Sequence, residues 1–264
     1  MNRCSSCDAN RRRFLCEGLR FNCKEQRLCD IVELRIVEIA YKERGRPQTI
    51  DQINELSSQI RDGHNAALFN LYDIVMPASP QLFKETLLHM HNTIFGRTNL
   101  SFSGRFRKEG EDGVRYGSRK HEREALPASE IEIELEHLYD SCINNFKYDE
   151  TKERISRKIA IFLERFFRIH PFHDGNGRVA RLFTRRLVYE TGRLEIPIYD
   201  IKGQFHDIKG PMYIKALEAA HARCDDNINY CGEVLDPYKA LAAWVQSQIR
   251  ELPQLLSEPD SPPA

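Results

Sequence analysis

The sequence predicts a mainly α-helical bundle with one short β-hairpin. Apolar residues recur every three or four positions along most of the 264 residues, which is the spacing of a helix face that packs into a core. The region 96–127 breaks this rhythm, because it contains five glycines and two short stretches of β-like character. These stretches lie around Leu100-Ser101-Phe102 and Val114-Arg115-Tyr116. No internal repeat is found, so one helical domain is the expected architecture.

Each predicted helix has an apolar stripe, and several have residues typical of a helix end. Ser79 and Pro80 fit an N-cap followed by proline at the first helical position. Ser129 and Glu132 have the spacing of a capping box, and Gly63 is expected to end a helix. The predicted helices cover about residues 26–43, 50–60, 66–75, 79–94, 129–142, 155–169, 178–191, 211–222 and 237–252.

Composition divides the chain into three parts. Residues 1–24 form a polar, cysteine-rich arm without a clear period. Residues 25–252 form the helical domain, with a core at about 79–224. Residues 253–264 are rich in proline and serine, and a segment of this kind buries too little apolar surface to fold, so the tail is expected to be disordered.

Net charge argues against a nucleic-acid partner, and hydropathy argues against a membrane partner. Lys plus Arg and Asp plus Glu both number 39, so the formal net charge is zero, whereas a nucleic-acid-binding domain usually has a basic excess. No apolar run approaches the length that spans a membrane, and the start of the chain lacks the apolar core of a signal peptide. The expected location is the cytoplasm, without a nucleic-acid or membrane partner.

Five of the eight cysteines lie within the first 29 residues. Cys4-x-x-Cys7 has the spacing of half a zinc site, and two of the later three could complete it. No second pair with this spacing follows. The alternative is therefore a set of ordinary thiols, which would be reduced in the cytoplasm.

The segment richest in chemistry is the loop His170-Pro171-Phe172-His173-Asp174-Gly175-Asn176-Gly177-Arg178-Val179-Ala180-Arg181, which joins two predicted helices. Its two glycines permit backbone conformations that a side chain forbids. Successive N–H groups at the start of a helix can bind one anion. Arg178 and Arg181 lie three positions apart, so they share a helix face and can bind adjacent phosphate groups.

Two other side chains of the loop complete a plausible reaction centre. A carboxylate beside phosphate groups, here Asp174, is a usual ligand of Mg²⁺. A histidine can act as a general base near neutral pH, and His170 closes the upstream helix and faces the loop. Phe172 is interpreted as an apolar plug. The alternative, a helix corner with an incidental polar loop, gives no reason for this combination of residues.

The loop resembles the signature of the Fic family, H-x-F-x-[D/E]-G-N-G-R-x-x-R, at every fixed position. The resemblance implies an all-helical fold that transfers AMP from ATP to a hydroxyl group of a target protein. It implies that His170 deprotonates the hydroxyl and that Asp174 binds Mg²⁺ or Mn²⁺. It further implies that the segment Gly175-Asn176-Gly177, together with Arg178 and Arg181, binds the phosphates. The resemblance covers about residues 48–250.

Two further matches concern substrate recognition. Gly104-Arg105-Phe106-Arg107 followed by Val114-Arg115-Tyr116-Gly117 resembles the family's flap, a hairpin that binds the modified segment of the target as an added strand. The alternative is a solvent-exposed loop. Tyr213 corresponds to a tyrosine that contacts the nucleotide base in family members, but Lys209 replaces the asparagine usual four residues earlier. Tyr213 fits a core aromatic equally well.

A third match concerns regulation. Many family members carry an inhibitory helix with the pattern [S/T]-x-x-x-E-[G/N], whose glutamate pairs with the second arginine of the motif, here Arg181. Ser58, Asp62 and Gly63 fit this spacing with aspartate in place of glutamate. A shift of the alignment by one residue puts Arg61 at the acid position instead. The helix could equally serve packing alone.

Protein adenylylation is the function that the sequence predicts, with ATP as substrate and a protein partner that offers a Ser, Thr or Tyr hydroxyl, the chain itself included. The enzymatic alternatives are removal of AMP, transfer of another nucleotide or of phosphocholine, and phosphoryl transfer. The last occurs in the Doc branch, where a lysine replaces the residue that is Gly177 here. A binding module with a vestigial site is the non-enzymatic alternative, and the intact motif argues against it. The oligomeric state stays open, a dimer included.

Overall fold

The computed structural model of the chain describes residues 50–111, 114–116, 123–144, 146, 151–191, 194–196, 212–225 and 236–251. The predicted arm 1–24, the predicted helix 26–43 and the tail 253–264 lie outside these residues. So do six of the eight cysteines, which leaves the zinc hypothesis as a prediction.

Seven α-helices and two short antiparallel ribbons are found in the described ranges. The helices are α1 (Ile50–Phe69), α2 (Pro80–Phe95), α3 (Ile131–Leu138), α4 (Lys152–Ile169), α5 (Asn176–Tyr189), α6 (Met212–Asp225) and α7 (Lys239–Gln248). The first ribbon pairs β1 (Arg115–Tyr116) with β2 (Arg123–Glu124), and the second pairs β3 (Leu194–Glu195) with β4 (Arg250–Glu251). Short 3-10 turns cover Asn70–Asp73, Gly96–Thr98 and Ala128–Glu130, and a π-helical turn, Tyr139–Ile143, extends α3. The predicted mainly helical fold with a β-hairpin after residue 113 is thereby confirmed.

Helix α4 lies at the centre of the packing and contacts α3, α5, α6 and α7. Helix α2 packs against α1, α3 and α5 on another side of the bundle. The buried side chains form one continuous core rich in phenylalanine, and burial of each such side chain contributes about 1.5–3 kcal/mol. Both helices that flank the loop 170–181 therefore have a core-facing stripe, as predicted.

The start of α2 agrees with the sequence prediction. The Ser79 hydroxyl accepts a hydrogen bond from the Leu82 backbone N–H at 3.2 Å, and Pro80 is the first helical residue. This cap satisfies one of the backbone donors that have no partner within the helix. The predicted stripe on this helix is completely buried: Phe83, Leu87, Met90 and Ile94.

The prediction that Gly63 ends a helix is wrong. Helix α1 continues through Gly63 to Phe69 and joins the two shorter helices that the sequence predicted. A Cβ atom at Gly63 would lie 2.2 Å from the backbone oxygen of Ile94, so the backbones of α1 and α2 approach closely at this position. The glycine therefore permits a helix crossing instead of ending a helix.

Three other local predictions are corrected. The capping box at Ser129 does not form, because residues 128–130 make a 3-10 turn and α3 begins at Ile131 without a side-chain cap. The stretch 100–102 is a turn whose apolar side chains are buried. Helix α7 ends at Gln248, and the two residues Arg250–Glu251 pair with β3 as a strand. A search of the described helices for a stretch long and apolar enough to cross a membrane finds none.

Candidate active site

The loop 170–181 begins where α4 ends. His170 adopts the left-handed conformation with φ 49° and ψ 60°, and its backbone N–H donates to the carbonyl of Phe166 at 2.9 Å. A left-handed residue at this position is a common way to end a helix, although it is usually a glycine. The conformation turns the chain out of the helix axis within a single residue and places the histidine at the start of the loop.

Arg107 fixes this helix end. Its guanidinium group donates to three backbone carbonyls: from Nε to His170 at 2.7 Å, and from Nη2 to Ile169 at 3.0 Å and to Leu126 at 2.7 Å. The last carbonyls of a helix have no partner within it, and Arg107, which is buried, satisfies two of them. The arginine thus joins the C-terminus of α4 to the segment that follows β2.

The His170 ring is packed against the proposed flap. Tyr116, in β1, stacks against it with ring centroids 5.6 Å apart and an interplanar angle of 23°. The same tyrosine makes an edge contact with His221 of α6, at 5.2 Å between centroids. His170 therefore has its backbone held by Arg107 and its ring placed beside an aromatic side chain of β1.

A buried ion cluster lies behind Tyr116. Glu164 of α4 is 1% exposed and His221 is 2% exposed, and a carboxylate oxygen of Glu164 lies 2.9 Å from Nδ1 of His221. Arg168 donates to the same oxygen from Nε at 3.1 Å and from Nη2 at 2.9 Å. Burial raises the pKa of Glu164, but the hydrogen bonds and charges of His221 and Arg168 together hold that pKa below its usual value. The cluster is accordingly a charged carboxylate held by donors from α4 and α6.

The first half of the loop closes on itself. The side-chain amide of Asn176 accepts a hydrogen bond from the Phe172 backbone N–H at 3.0 Å and donates to the Phe172 carbonyl at 2.7 Å. Phe172 is fully buried, as expected for an apolar plug. Because the Asn176 side chain is used in this way, the group that Asn176 can offer to a phosphate is its backbone N–H at the start of α5.

Gly175 and Gly177 differ in their reasons for being glycine. Gly175 has φ 84°, and a Cβ atom there would lie 2.4 Å from Cε2 of Phe95. Gly177 lies in the first turn of α5 without a positive φ, and a Cβ atom would meet only the Nη1 atom of Arg181, at 3.2 Å. The expectation of an unusual backbone conformation is thus correct for Gly175 and wrong for Gly177, where the glycine leaves room for the arginine one turn on.

Asp174 combines a fixed backbone with a side chain that can take a cation. Its carbonyl oxygen lies 3.0 Å from Nε2 of His91 in α2. Its Oδ2 atom is buried and has no hydrogen-bond partner among the described residues. A buried carboxylate oxygen in this situation fits a metal ion.

The two arginines of the loop project from α5. Arg178 is buried, and its guanidinium carbon lies 5.1 Å from the ring centroid of Phe95, a cation–π distance. Arg181 is partly exposed. The backbone N–H groups of Arg178 and Val179 donate to the Gly175 carbonyl at 2.9 and 3.0 Å, so the groups directed out of the N-terminus of α5 are those of Asn176 and Gly177. The structure therefore brings His170, Asp174 and the start of α5 together in one place.

The remaining predicted site residues lie on other elements. Val114, Arg115 and Tyr116 are in or beside β1, whereas Gly117 lies outside the described residues. Tyr213 lies in the first turn of α6, and the description does not extend to its side chain. On α1, Ser58 accepts a hydrogen bond from Nη2 of Arg61 at 3.4 Å.

Asp62 and Gly63 face different surroundings on α1. Asp62 is exposed and forms no ion pair with any residue that the structure describes, whereas Gly63 is buried against α2. Helix α1 also contacts α5, which carries the two arginines of the loop.

Sequence reasoning missed three groups that hold the site: His91 with Phe95, Arg107, and the pair Glu164 and His221. Two of them carried a signal. His91 and Phe95 lie four apart on α2, beside the predicted stripe, so a histidine falls on an apolar face. Glu164 likewise interrupts the apolar face of α4. Arg107 was named only as part of the flap pattern, and nothing local indicated that it holds the end of α4.

Comparisons with known proteins agree with this geometry. The sequence model described as Fic/DOC family matches residues 81–188, which include α2 to α5 and the whole of the loop 170–181. A comparison with curated protein sequences found no match. The similarity in sequence to this family therefore extends over residues 81–188.

Several solved Fic structures share the fold. The N-terminal Fic domain of a VirB-translocated Bep effector protein from Bartonella quintana, with bound ADP, is 17% identical, has a TM-score of 0.55, and covers 77% of this chain and 89% of that chain. BepC from Bartonella tribocorum, with bound AMPPNP, is 15% identical at a TM-score of 0.52, covering 80% and 92%. A Fic family protein from Desulfovibrio desulfuricans is 19% identical at a TM-score of 0.52, covering 89% and 70%. At these identities the likeness establishes the shared fold.

Proposed function

We propose that this protein is a nucleotidyltransferase that transfers AMP from ATP to a hydroxyl side chain of a target protein. The observation that carries the proposal is the loop between α4 and α5. In it a histidine, a buried carboxylate oxygen with no hydrogen-bond partner among the described residues, and a helix N-terminus with two arginines lie within twelve residues. The ADP and AMPPNP in the two Bartonella structures support a nucleotide in this fold.

In the proposed reaction His170 accepts the proton of the target hydroxyl. The hydroxyl oxygen then forms a bond to the α-phosphorus of ATP, the bond to the bridging oxygen breaks, and pyrophosphate leaves. The N–H groups at the start of α5 and the guanidinium groups of Arg178 and Arg181 bind the phosphates and stabilise the negative charge that develops. Tyr116, Arg107 and the Glu164 cluster act on this step through the position of His170.

Asp174 would hold the divalent cation, Mg²⁺ or Mn²⁺. The cation neutralises phosphate charge when it is bound. The fit rests on the Oδ2 atom of Asp174, which is buried and has no hydrogen-bond partner within the described ranges. No cluster of three or more His, Cys, Asp or Glu side chains is found among those residues. One carboxylate together with substrate phosphates is an ordinary way for a protein to bind Mg²⁺.

The target would be bound as a strand added to the hairpin of β1 and β2, the mode that the resemblance implies for the flap. The hairpin lies beside the reacting histidine, because Tyr116 of β1 contacts the His170 ring. Tyr213 is retained as the residue proposed to contact the nucleotide base.

The experiment that tests the reaction class is incubation of the full-length protein with labelled ATP and Mg²⁺ or Mn²⁺, alone and with a cell lysate. The expected result is a mass gain of one AMP on the protein or on a lysate protein. A gain of one phosphate would show phosphoryl transfer instead. Loss of AMP from a target labelled beforehand, without any gain, would show the reverse reaction.

Substitution of His170 tests the assigned base. His170→Ala should lower the transfer rate on the order of a hundredfold or more, because a general base contributes that much, while the affinity for ATP persists. His170→Asn should do the same while better tolerating the left-handed backbone conformation. His137→Ala, an exposed histidine of α3, serves as the control. Transfer at the wild-type rate by either His170 variant would exclude His170 as the base.

A further inference from the structure

We propose that His91 of α2 is a positioning residue of the active site, which fixes the backbone of Asp174 and of Gly104 relative to each other through two hydrogen bonds. The inference deepens the proposed function and rests on it, because the loop that it fixes is the one assigned to the metal and the phosphates. His91 itself touches neither in this assignment. It acts through the backbone of the residues that do.

The two hydrogen bonds determine which ring nitrogen of His91 carries the proton. The backbone N–H of Gly104 can only donate, and it lies 3.0 Å from Nδ1, so Nδ1 is the acceptor. The carbonyl oxygen of Asp174 can only accept, and it lies 3.0 Å from Nε2, so Nε2 carries the hydrogen. One neutral imidazole therefore satisfies both backbone groups, and the two bonds use opposite sides of the ring.

Packing leaves the His91 ring one orientation. The residue is fully buried, and its ring stacks on Phe172 with centroids 4.1 Å apart and an interplanar angle of 8°. Phe95 lies 4.7 Å away on the next turn of the same helix, and Phe102 lies 6.0 Å away in an edge contact. Because the His91 ring stacks on Phe172 and is also flanked by Phe95 and Phe102, its orientation and the directions of its two hydrogen bonds are fixed.

The same face of α2 continues along the loop. Phe95 fills the space beside Gly175 and lies under the guanidinium group of Arg178. His91 and Phe95, one helical turn apart, thus contact three consecutive parts of the loop: Asp174, Gly175 and the first turn of α5. The loop 170–181 therefore packs along one face of helix α2.

The Gly104 bond extends this arrangement toward the flap. Gly104 is followed by Arg105, whose guanidinium group forms a bidentate pair with Glu111 at 2.7 and 2.8 Å, shortly before β1. The same segment also contacts the loop directly: the Phe106 ring lies 5.4 Å from the Phe172 ring between centroids, and the Arg107 backbone N–H donates to the Pro171 carbonyl at 2.9 Å. One buried histidine therefore couples the position of the proposed metal ligand to the base of the proposed target-binding hairpin.

Three substitutions of His91 test its two hydrogen bonds separately. The side-chain amide of His91→Gln can reach the place of Nε2 and donate to Asp174. The shorter amide of His91→Asn can reach the place of Nδ1 and accept from Gly104. His91→Leu keeps apolar volume and loses both bonds. His89→Leu, on an exposed position of the same helix, is the matched control.

The measurements are calorimetric affinity for ATP with Mg²⁺ and hydrogen exchange of the Gly104 amide, both on the full chain. The affinity for ATP should depend on the hydrogen bond to Asp174. It should stay near the wild-type value in His91→Gln, and it should be about tenfold weaker in His91→Asn and His91→Leu, which is the effect of one lost hydrogen bond. Protection of the Gly104 amide should follow the other bond, so that it persists in His91→Asn and falls in His91→Gln and His91→Leu. His89→Leu should change neither quantity.

Two outcomes would overturn the inference. Unchanged affinity and unchanged exchange in all three His91 variants would show that the bonds position nothing. Equal losses in His91→Gln, His91→Asn and His91→Leu would assign the effect to ring packing alone. A wild-type protein that binds no nucleotide would remove the proposed function instead, while the exchange of the Gly104 amide would still test the hydrogen bond to His91. If His91→Leu does not fold, the comparison of the two amide variants decides.

Discussion

Two constraints favour glycine at position 175, its backbone conformation and its contact with Phe95, and substitutions at two glycines can measure them separately. Its φ of 84° strains any residue with a side chain, and its Cβ position is occupied by Phe95 at 2.4 Å. Gly175→Ala is expected to lower the free energy of unfolding by about 1–2 kcal/mol for the backbone conformation. A further ~1–3 kcal/mol should follow from overpacking against the ring. Urea unfolding measures the sum.

Gly110 supplies the control for this prediction. It has nearly the same φ angle, 83°, and nothing lies within 4 Å of the position of a Cβ atom. Gly110→Ala should therefore show only the conformational part of the loss. Equal losses for the two alanine variants would mean that Phe95 moves away at no cost and does not constrain Gly175.

Glu164 gives a prediction about pH. Its pKa in the folded protein lies below the usual value of 4.5, because the donors from His221 and Arg168 outweigh the opposing effect of burial. A lowered pKa means that the carboxylate stabilises the fold fully above about pH 4.5 and loses this effect as the pH falls below it. Glu164→Gln should therefore cost about 1–3 kcal/mol at pH 7 and less at pH 3.5.

The comparison for Glu164 is a carboxylate of a more exposed ion pair. Glu134 lies 3.5 Å from Arg165 and 3.1 Å from His137, at the surface of α3. Glu134→Gln should change the free energy of unfolding by at most about 1 kcal/mol. A loss from Glu164→Gln that is the same at both pH values would contradict the assignment of the effect to a buried charge.

The residues of the site fall into two groups according to how well the sequence predicts them. His170, Asp174, Gly175 and the two arginines are contiguous, so their chemistry can be read from spacing alone. Their supports are distant in the chain: His91 meets Asp174 across 83 positions and Arg107 meets His170 across 63. Such contacts depend on how helices pack, which no local pattern specifies.

At the level of elements, the C-terminus of α4 depends on a side chain from outside the helix. Arg107 donates to the carbonyls of Ile169, His170 and Leu126 through a planar fork. Lysine has a single ammonium group and cannot reach all three carbonyls in this geometry. Arg107→Lys should lower the free energy of unfolding by about 1–3 kcal/mol, the value of one or two hydrogen bonds. Thermal or urea unfolding measures this loss.

The transfer rate and the affinity for ATP distinguish an effect on the end of α4 from a general loss of stability. Because the Arg107 side chain fixes the backbone at the proposed base, whereas its contact with Pro171 comes from the backbone and is unaffected by the substitution, Arg107→Lys should lower the transfer rate more than the affinity for ATP. Arg97→Lys, an exposed arginine after α2, should stay within about 0.5 kcal/mol of the wild type. A loss confined to ATP affinity would contradict the role assigned to Arg107.

The sequence predicted the secondary-structure elements well where apolar residues recur periodically. It predicted them poorly where a contact with another element decides the local structure. The stripe and cap of α2 were confirmed, since both arise from residues close in sequence. Gly63 was misread as a helix end, because the glycine instead permits a close helix crossing. Ser129 was misread as a cap, because residues 128–130 form a 3-10 turn. Helix α7 was extended too far, since the pairing of β4 with β3 joins residues about 55 positions apart.

In the molecule as a whole, α1 packs against α2 and α5. It crosses α2 at Gly63, beside the backbone of Ile94, and it contacts α5, the helix that carries Arg178 and Arg181. Ser58 and Asp62 carry the spacing of an inhibitory helix, with an acid one methylene shorter than glutamate. Asp62 is exposed and forms no ion pair within the described part of the chain. Its neighbour Arg61 donates to Ser58 along the same helix.

This arrangement predicts weak inhibition. Asp62→Asn should raise the initial rate of AMP transfer by no more than about fivefold, the equivalent of an exposed ion pair of ~1 kcal/mol. Asp62→Glu should lower the rate, because the added methylene gives the acid the length of the glutamate in the inhibitory pattern. Glu55→Gln, an exposed acid on the same helix, is the control and should leave the rate unchanged. Activation by Asp62→Asn far beyond fivefold would show that aspartate inhibits fully, and equal rates for both Asp62 variants would remove this residue from regulation.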